Sequence, residues 1–368
     1  MQTSTARADN KTHPEAARLA SQIRILADDL TGACDAAAPF LRTVRAVRVW
    51  LGPSMRFAAP ESVQAIHTAS RNLAPQHAAS AVAEAAGRMA HAPDTFIFKK
   101  VESTLRGPIA AELLALQLAL DGRAILFAPA FPAAGRIVRN GVLEVHDPAG
   151  QLELRSVREI FPAGLHSRIA LVSNAASLTA AFTSGKSLLL CDAATQQDLD
   201  ALARAAQSLP GLLVAGSAGL ATALANLDGL AISDAPLPHA TRALLIAGTT
   251  HLVTQQQLDQ LAAATAPSPV QTRLLRIEPA PGAELQIREI FTQQLPDAVI
   301  LTGGDTAQLA ATALGAHSIL LGGEFAPGVP WGIAQGGLLE GRIVITKSGG
   351  FGTPHLLCDI LNALGRTG

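Results

Sequence analysis

The sequence is poor in the features that mark several large classes of protein. Its 368 residues include three cysteines, Cys34, Cys191 and Cys358, whose wide spacing fits neither a zinc site nor a disulfide framework. Such sparse cysteine usage is typical of a reducing compartment, so we expect a cytoplasmic protein. Charged residues make up only 15% of the chain, the formal net charge is −1, and no basic patch stands out. We therefore expect no nucleic-acid partner.

Long apolar segments are also lacking. The apolar runs have the length of strands and end at Gly or Asp, so we expect no transmembrane helix and no membrane partner. Residues 1–21 are polar and lack the apolar region of a signal peptide, which predicts a flexible N-terminal tail. Because 49% of the residues are hydrophobic, the chain can bury a large core, and its length favours two domains.

The sequence does contain a repeated strand–turn–helix pattern. Short aliphatic runs lead into turns with Gly or Asp, and Ala/Leu-rich helical segments follow, as in "GLLVAGSAGLATALANL" and "DAVILTGGDTAQLAATALG". This alternation predicts an α/β fold with two doubly wound domains, mostly parallel sheets and an active-site cleft between the domains. A stretch with two prolines and little periodicity predicts a linker at residues 229–240, between domains at 22–228 and 241–368.

Two adjacent carboxylates end the first predicted strand, in "ILADDLTGACDAA". Like charges repel, so Asp28 and Asp29 predict a position where water, a cation or a polyhydroxylated ligand meets them. Ligands of doubly wound sheets bind beyond the carboxyl ends of the strands, which is where this pair lies. Adjacent carboxylates can titrate as a pair. We favour Asp29 as a general base because it lies nearer the start of the following helix.

Cations and hydroxyl groups are concentrated at other strand ends in the N-terminal part of the sequence. Arginine can hold a carboxylate in a bidentate fork, so such a cluster opposite the aspartates would suit a small anionic, hydroxylated ligand. The alternative is that these are solvated loop residues paired with one another. The residues are Arg71 in "HTASRNL", Lys100, Ser103 and Arg106 in "FKKVESTLRG", and Arg136, Arg139 and Asn140 in "PAFPAAGRIVRNG".

Three glycine-rich turns follow strands in the C-terminal part: "AGTTHLVT", "TGGDTAQ" and "KSGGFGTP". Glycine lets backbone amides approach an anion, and the next helix adds its positive N-terminal end, so together the turns favour a nucleotide polyphosphate site. Each turn alone could equally be a simple tight turn. Neither a Walker A pattern nor a complete dinucleotide fingerprint is present, which disfavours a dinucleotide oxidoreductase. A hydroxy acid beside a nucleotide indicates phosphoryl transfer, usually with Mg²⁺.

A set of motifs in fixed order resembles the four-carbon acid sugar kinase family. The motifs are "ADDLTGA", "KKVESTLRG", "PAFPAAGR…NG", "GSAGLA", "TGGDTA", "PGVPWG" and "KSGGFG", and the resemblance covers the chain from about Ile23 to Leu364. It implies ATP-dependent phosphorylation of the C4 hydroxyl of threonate, erythronate or an oxo-tetronate. It also implies that the N-terminal domain binds the acid and the C-terminal domain binds ATP.

The resemblance also implies roles for individual residues. Asp28 and Asp29 would face the substrate hydroxyls. The substrate would contact Arg71, Lys100, Ser103, Arg106 and Asn140. The nucleotide would contact Thr249, Gly303, Gly304, Asp305, Thr306, Gly349, Gly350 and Gly352. The metal ligands stay open, because Asp305 could bind Mg²⁺ or cap its helix, and capping is the commoner role of an Asp before an Ala-rich helix.

The sequence departs from the family pattern on the acid-binding side. Glu102 stands where the family usually has Asp, and the stretch after Gly141 is shorter than in relatives. The shortening could alter the substrate or the lid over it. Two alternatives therefore stay open, namely a kinase for a different hydroxy acid and a binding or regulatory protein without turnover. Homologues of this kind are dimers or monomers, so a homodimer is one of two expected states.

Overall fold

The structure is a computed structural model that describes residues 22–43, 46–51, 61–89, 95–121, 124–146, 151–227, 229, 235–264, 268–278 and 280–366. The predicted tail at 1–21 and most of the first half of the predicted linker lie outside the described residues. We refer to the described residues from 22 to 227 as the N-terminal half and to those from 235 to 366 as the C-terminal half.

The N-terminal half alternates short apolar strands with helices, as the sequence pattern predicts. Its strands are β1 (Gln22–Ala27), β2 (Val47–Trp50), β3 (Val63–His67), β4 (Thr95–Lys100), β5 (Ile125–Ala128), β6 (Arg136–Arg139), β7 (Val142–His146), β8 (Leu152–Ser156), β9 (Ile169–Val172), β10 (Leu188–Cys191) and β11 (Leu213–Gly216). Its α-helices are α1 (Leu30–Ala37), α2 (Pro75–Met89), α3 (Ile109–Ala119), α4 (Ala175–Thr183), α5 (Gln196–Gln207) and α6 (Ala218–Asn226).

The C-terminal half follows the same alternation, interrupted by one antiparallel hairpin. Its strands are β12 (Arg242–Ala247), β13 (Gln271–Arg276), β14 (Ala298–Thr302), β15 (Ser318–Ala326), β16 (Val329–Gln335) and β17 (Ile343–Lys347). Its α-helices are α7 (Leu252–Ala263), α8 (Ala283–Gln294), α9 (Gly304–Leu314) and α10 (Leu356–Leu364).

One sheet of 14 strands runs through both halves, in the order β13-β12-β14-β17-β16-β15-β2-β3-β1-β4-β11-β5-β10-β9. The pairings are parallel except where β15 and β16 meet each other and their outer neighbours β2 and β17. The predicted α/β fold with mostly parallel strands is thus confirmed, and the hairpin joins what were expected to be two separate sheets. Because the sheet crosses between the halves, the domain boundaries at residues 228 and 241 stay a prediction.

The twist of this sheet decides where the functional turns lie. Three successive antiparallel pairings separate the parallel groups, so β1 and β14 run in opposite directions by connectivity. Adjacent strands rotate by roughly 20–25°, so the six steps from β14 to β1 accumulate a turn of about 120–150°. Two register shifts in β15 add local bending. The carboxyl ends of both parallel groups can therefore meet at one cleft.

A second, smaller sheet covers one side of that cleft. Strands β6, β7 and β8 form an antiparallel three-stranded sheet in the N-terminal half, and β7 and β8 lie within the stretch that follows Gly141. The stretch that the sequence analysis expects to be shortened thus contains two paired antiparallel strands, and both contribute residues to the cleft.

The apolar core is shared between the halves. One buried cluster joins Ile25 and Phe98 of the N-terminal half to Ile246 and Ala310 of the C-terminal half. A second cluster, which includes Leu258 and Ile360, lies entirely within the C-terminal half. No helix in the described part of the chain combines the length and the apolar character needed to cross a membrane.

Candidate functional site

A cleft of about 690 Å³ lies where the two halves meet. Its walls come from the turns after β1, β3 and β4 on one side and the turns after β12, β14 and β17 on the other. The predicted site residues that line it are Asp29, Arg71, Lys100, Ser103, Arg106, Thr249, Gly303, Gly304, Asp305, Thr306, Gly349 and Gly350. Three predicted residues do not line the cleft: Asp28, Asn140 and Gly352.

Asp28 and Asp29 share one arginine but face different surroundings. The Arg71 guanidinium donates to both oxygens of Asp28, at 2.7 and 2.9 Å, and to Asp29 Oδ2 at 2.5 Å. Burial would raise the pKa of Asp28, but Arg71 overrides this and brings it to about 2. Asp28 is therefore a fixed anion behind the cleft wall. Asp29 caps α1 by accepting from the Gly32 amide at 2.7 Å and from the Thr31 hydroxyl at 3.0 Å.

A buried ion pair supports the turn that carries Arg71. Lys99, fully buried at the end of β4, lies 2.8 Å from a carboxylate oxygen of Glu112 in α3. The Ser70 hydroxyl donates to the other oxygen of Glu112, and the Ser70 amide donates to the Asp28 carbonyl at 3.0 Å. The residue before Arg71 is thus anchored at both its side chain and its backbone, which fixes the direction of the guanidinium.

Glu102 lines the cleft and organises the turn after β4. Its Oε2 accepts from the Thr104 amide at 2.8 Å, the Thr104 hydroxyl at 2.6 Å and the Arg106 amide at 3.1 Å. Burial opposes ionisation here, but the nearby Arg106 charge and these donors bring the pKa of Glu102 to about 2. The turn presents Ser103 and Arg106 to the cleft.

Arg136 bridges the two halves of the cleft. It begins β6, donates to the Ser103 hydroxyl at 2.8 Å, and places its guanidinium 4.8 Å from the ring centroid of Phe351 in the turn after β17. Phe131 also packs against that ring, with centroids 5.7 Å apart. The sequence singled out Arg136 as a cation near a strand end, but gave no sign that Phe351 would be its partner.

Other lining residues were missed at the sequence level. Val145 and His146 of β7 and Glu153 and Arg155 of β8 contribute side chains from the small sheet. Arg155 also donates to the backbone carbonyl of Thr104, so this sheet is tied to the turn after β4. The alternation of apolar and charged residues in β8 was the available signal, and it is weak over a strand of five residues.

The N-terminus of α9 faces Asp29 directly. Gly303, with φ of +95°, precedes the helix and supplies no side-chain cap, so the first amides of α9 keep their hydrogen-bonding capacity. A Cβ at Gly304 would collide with the Asp29 carboxylate, so only glycine permits this approach. Asp305 lies in the first turn and accepts from the Asn72 side chain at 3.0 Å, so it does not cap the helix as the sequence suggested.

The turn after β17 is built around Lys347. Its ammonium, fully buried, donates to the Thr254 hydroxyl and to the Ser348 carbonyl, both at 2.9 Å. Burial lowers the pKa of Lys347 to about 7. At Gly349, an added Cβ would come within 2.6 Å of Thr249 Oγ1. The turns after β12 and β17 therefore pack closely enough to form one glycine-lined cradle.

Asn140 and Gly352 lie elsewhere. Asn140 is exposed between β6 and β7, and its amide donates to Asp192 at 2.8 Å. This hydrogen bond shapes the turn, and Asn140 does not line the cleft. Gly352, with φ of +89°, shapes the chain on its way into α10, where a Cβ would collide with Leu356.

Comparison with known proteins gives two family matches in the same order as the two halves. A family model described as "Sugar-binding N-terminal domain" matches residues 23–159 and 147–224. A second, described as "Nucleotide-binding C-terminal domain", matches residues 283–357.

Individual relatives agree with these matches. The chain is 31% identical to a D-threonate kinase of Bordetella bronchiseptica over 399 aligned residues, covering 93% of this chain and 97% of the relative. It is 32% identical to a D-erythronate kinase of Heliobacterium modesticaldum over 65% of this chain and 60% of the relative. A crystal structure from Bordetella bronchiseptica, a domain-swapped dimer with bound citrate, is 29% identical with a TM-score of 0.50 and covers 94% of this chain and 98% of that one.

The alignment with the D-threonate kinase is longer than this chain, so that relative carries residues without a counterpart here. The motifs, the paired family matches and the extent of the similarity lead to the same conclusion. The chain belongs to the four-carbon acid sugar kinase family and is a sugar-acid kinase.

Proposed function

We propose that the protein transfers the γ-phosphoryl group of ATP to the terminal hydroxyl of a four-carbon sugar acid, with D-threonate as the first candidate. The observation that carries this proposal is the approach of Asp29 to Gly304 at the start of α9. A carboxylate from the acid-binding side and a helix N-terminus from the nucleotide-binding side meet at one point. Proton acceptance and phosphate binding are both needed at such a point in phosphoryl transfer.

The acid would lie on the cationic side of the cleft. Arg106, Arg136 and Lys100 line this side, together with the Ser103 hydroxyl. Guanidinium groups bind carboxylates in a planar, bidentate manner, and two of them at the surface of the cleft can orient the acid. Arg71 is already engaged by both aspartates, so its role is to hold Asp29 in place.

Asp29 would accept the proton of the C4 hydroxyl as the phosphoryl group arrives. Three donors, from Gly32, Thr31 and Arg71, fix its carboxylate, which leaves little freedom of rotation. Such preorganisation keeps the base aligned with the nucleophile and favours transfer over hydrolysis.

The nucleotide phosphates would lie in the glycine cradle. Glycines 248, 303, 304 and 349 all lie where a Cβ would press on a neighbouring residue, so backbone amides line the space instead of side chains. The described residues contain no group of three or more metal-ligating side chains. Mg²⁺ is commonly held by substrate phosphates and one or two carboxylates, and Asp305, which lines the cleft, would supply one here. When bound, Mg²⁺ neutralises phosphate charge.

The test is a substrate panel with direct identification of the product. ATP consumption with Mg²⁺ is measured against D- and L-threonate, D- and L-erythronate and their oxo forms, and the product is located by ³¹P–¹H correlation. We expect one acid to dominate and to carry its phosphate on C4. Turnover of a longer or branched hydroxy acid would change the proposed substrate. Binding of an acid without any transfer would support a binding protein and contradict the proposal.

A further inference from the structure

Asp35 is a buried carboxylate that the proposed mechanism does not use. It lies in α1, lines the cleft, and is only 4% exposed. Within the part of the chain that the structure describes, its oxygens make no hydrogen bond and no ion pair. Buried carboxylates are costly without donors, so an unpartnered one that faces a ligand cleft indicates that the ligand supplies the donors.

Asp29 and Asp35 line the same cleft from different positions of α1. Asp29 is the N-cap of the helix, and Asp35 lies six residues further along, which is about 9 Å along the helix axis at 1.5 Å per residue. Gly32 lies between them without a side chain. A Cβ at this glycine would lie 2.6 Å from Asp29 Oδ1 and 3.3 Å from Lys100 Nζ. The glycine thus leaves space in the cleft wall beside a carboxylate and an ammonium, and Asp35 lines the same cleft one turn further along the helix.

The charges around Asp35 decide which ligand group it can bind. Lys100, Arg136 and Arg71 stabilise its ionised form through space, whereas Asp29 opposes it. The cations are better placed to bind the carboxylate of an acid, and a second anion would be repelled from Asp35. An ionised Asp35 can therefore bind an uncharged hydrogen-bond donor of the ligand. The hydroxyl groups of a sugar acid are such donors.

We infer that Asp35 binds the secondary hydroxyl groups of the sugar acid, and so selects substrates that are hydroxylated between the carboxylate and the terminal carbon. This inference rests on the proposed function. The acid would lie over Gly32, with its terminal hydroxyl at Asp29 and its secondary hydroxyls at Asp35. A substrate that lacks these hydroxyls leaves the buried carboxylate without donors, and such sites discriminate strongly.

The test compares Asp35→Ala with wild type on D-threonate and on 4-hydroxybutanoate, which keeps both ends but lacks the secondary hydroxyls. We expect kcat/KM for D-threonate to fall about 10- to 100-fold, as for a hydrogen bond to a charged group. For 4-hydroxybutanoate we expect a change within about 3-fold. Equal losses on both substrates would show a structural role and overturn the inference. Asp359→Ala, on the exposed side of α10, is the matched control and should leave both values unchanged.

A second variant and a binding measurement separate the remaining outcomes. Asp35→Asn is isosteric, and its losses should follow those of Asp35→Ala on D-threonate. If excess Mg²⁺ restores its activity, Asp35 is a metal ligand and the inference is wrong. If wild type transfers no phosphate, calorimetric binding of D- and L-threonate and D- and L-erythronate decides. Binding lost only in the Asp35 variants would support the inference without the kinase activity, and no binding to wild type would overturn both.

Discussion

At the scale of single residues, the site separates two adjacent aspartates by their surroundings. Both oxygens of Asp28 accept hydrogen bonds from Arg71, and Asp28 does not line the cleft, whereas Asp29 does. The sequence could show that two carboxylates end a strand, but it could not show that Arg71 would hold Asp28 through both oxygens and Asp29 through one. That arrangement depends on the turn that carries Arg71, which the distant Glu112 anchors through the adjacent Ser70.

Asp29→Asn should abolish most phosphate transfer while leaving nucleotide binding nearly unchanged. The amide cannot accept the hydroxyl proton, and general-base catalysis of this kind contributes about 10²- to 10⁴-fold. Asparagine caps helices as well as aspartate does, so α1 should keep its stability. Single-turnover transfer and calorimetric titration with a non-hydrolysable ATP analogue measure the two effects. An Asn variant that transfers at the wild-type rate would exclude Asp29 as the base.

Asp35→Asn should change the pH dependence of stability. Burial, only partly offset by Lys100 and Arg136, raises the pKa of Asp35 from 3.8 to about 6. The folded state therefore binds this proton more tightly than the unfolded state, and stability falls as pH rises from about 4 to 6. At pH 7 the variant should be more stable than wild type by about 3 kcal/mol.

Thermal unfolding of both proteins between pH 3.5 and 8 measures this difference. The two melting temperatures should converge at the acid end of the range and separate above pH 6. A variant that is less stable than wild type at pH 7 would mean that Asp35 has a stabilising partner in the folded protein.

At the scale of elements, the strand ends were predictable and the small sheet was not. The turns after β1, β4 and β14 are predictable because adjacent charges or glycines interrupt an apolar run at each of them. Strands β6, β7 and β8 have four or five residues each with partly exposed faces, so their pattern is too short to separate from a loop. Arg136 and Arg155 tie the small sheet to the turn after β4, and these contacts between distant segments leave no local signal in the sequence.

The contact between β6 and the turn after β17 should couple acid binding to nucleotide binding. Arg136 on the ring of Phe351 connects the two sides, and such cation–π contacts contribute about 0.5–2 kcal/mol. Saturating acid is expected to raise the affinity for the nucleotide, and Phe351→Leu should reduce this increase by about 2- to 30-fold. Nucleotide titrations with and without saturating acid measure this coupling.

Arg139→Met provides the control on the same strand, because Arg139 is exposed and pairs with Glu144 outside the cleft. It should leave the coupling intact. Arg136→Met combined with Phe351→Leu should lose no more coupling than either change alone. Additive losses would show that the two residues act independently.

At the scale of the whole molecule, the halves are joined by backbone pairing and by a common core. Strand β2 pairs with β15 from Trp50 to Arg48, and the Arg48 guanidinium donates to Ser318 at 2.8 Å across the junction. The sequence pattern predicted the strands on both sides, but pairing between strands more than 250 positions apart leaves no local signature. Two separate sheets were the natural expectation for that reason.

Both halves should consequently unfold in a single transition. The two tryptophans, Trp50 in β2 and Trp331 in β16, are both buried and report on opposite sides of the junction. In urea, Trp50→Phe and Trp331→Phe should each show a fluorescence transition that coincides with its own far-UV circular dichroism transition. Two resolved transitions in either variant would mean that the halves unfold independently.

The continuous sheet also limits how this protein can exchange parts with its relatives. Recombination usually succeeds where few contacts cross a boundary. Here a chimaera that takes one half from another kinase must reproduce the register between β2 and β15 as well as the fit of both halves at the cleft. The productive crossover points therefore lie within the β6–β8 hairpins, so a new acid preference is more readily acquired by exchanging that small sheet than by exchanging a whole half.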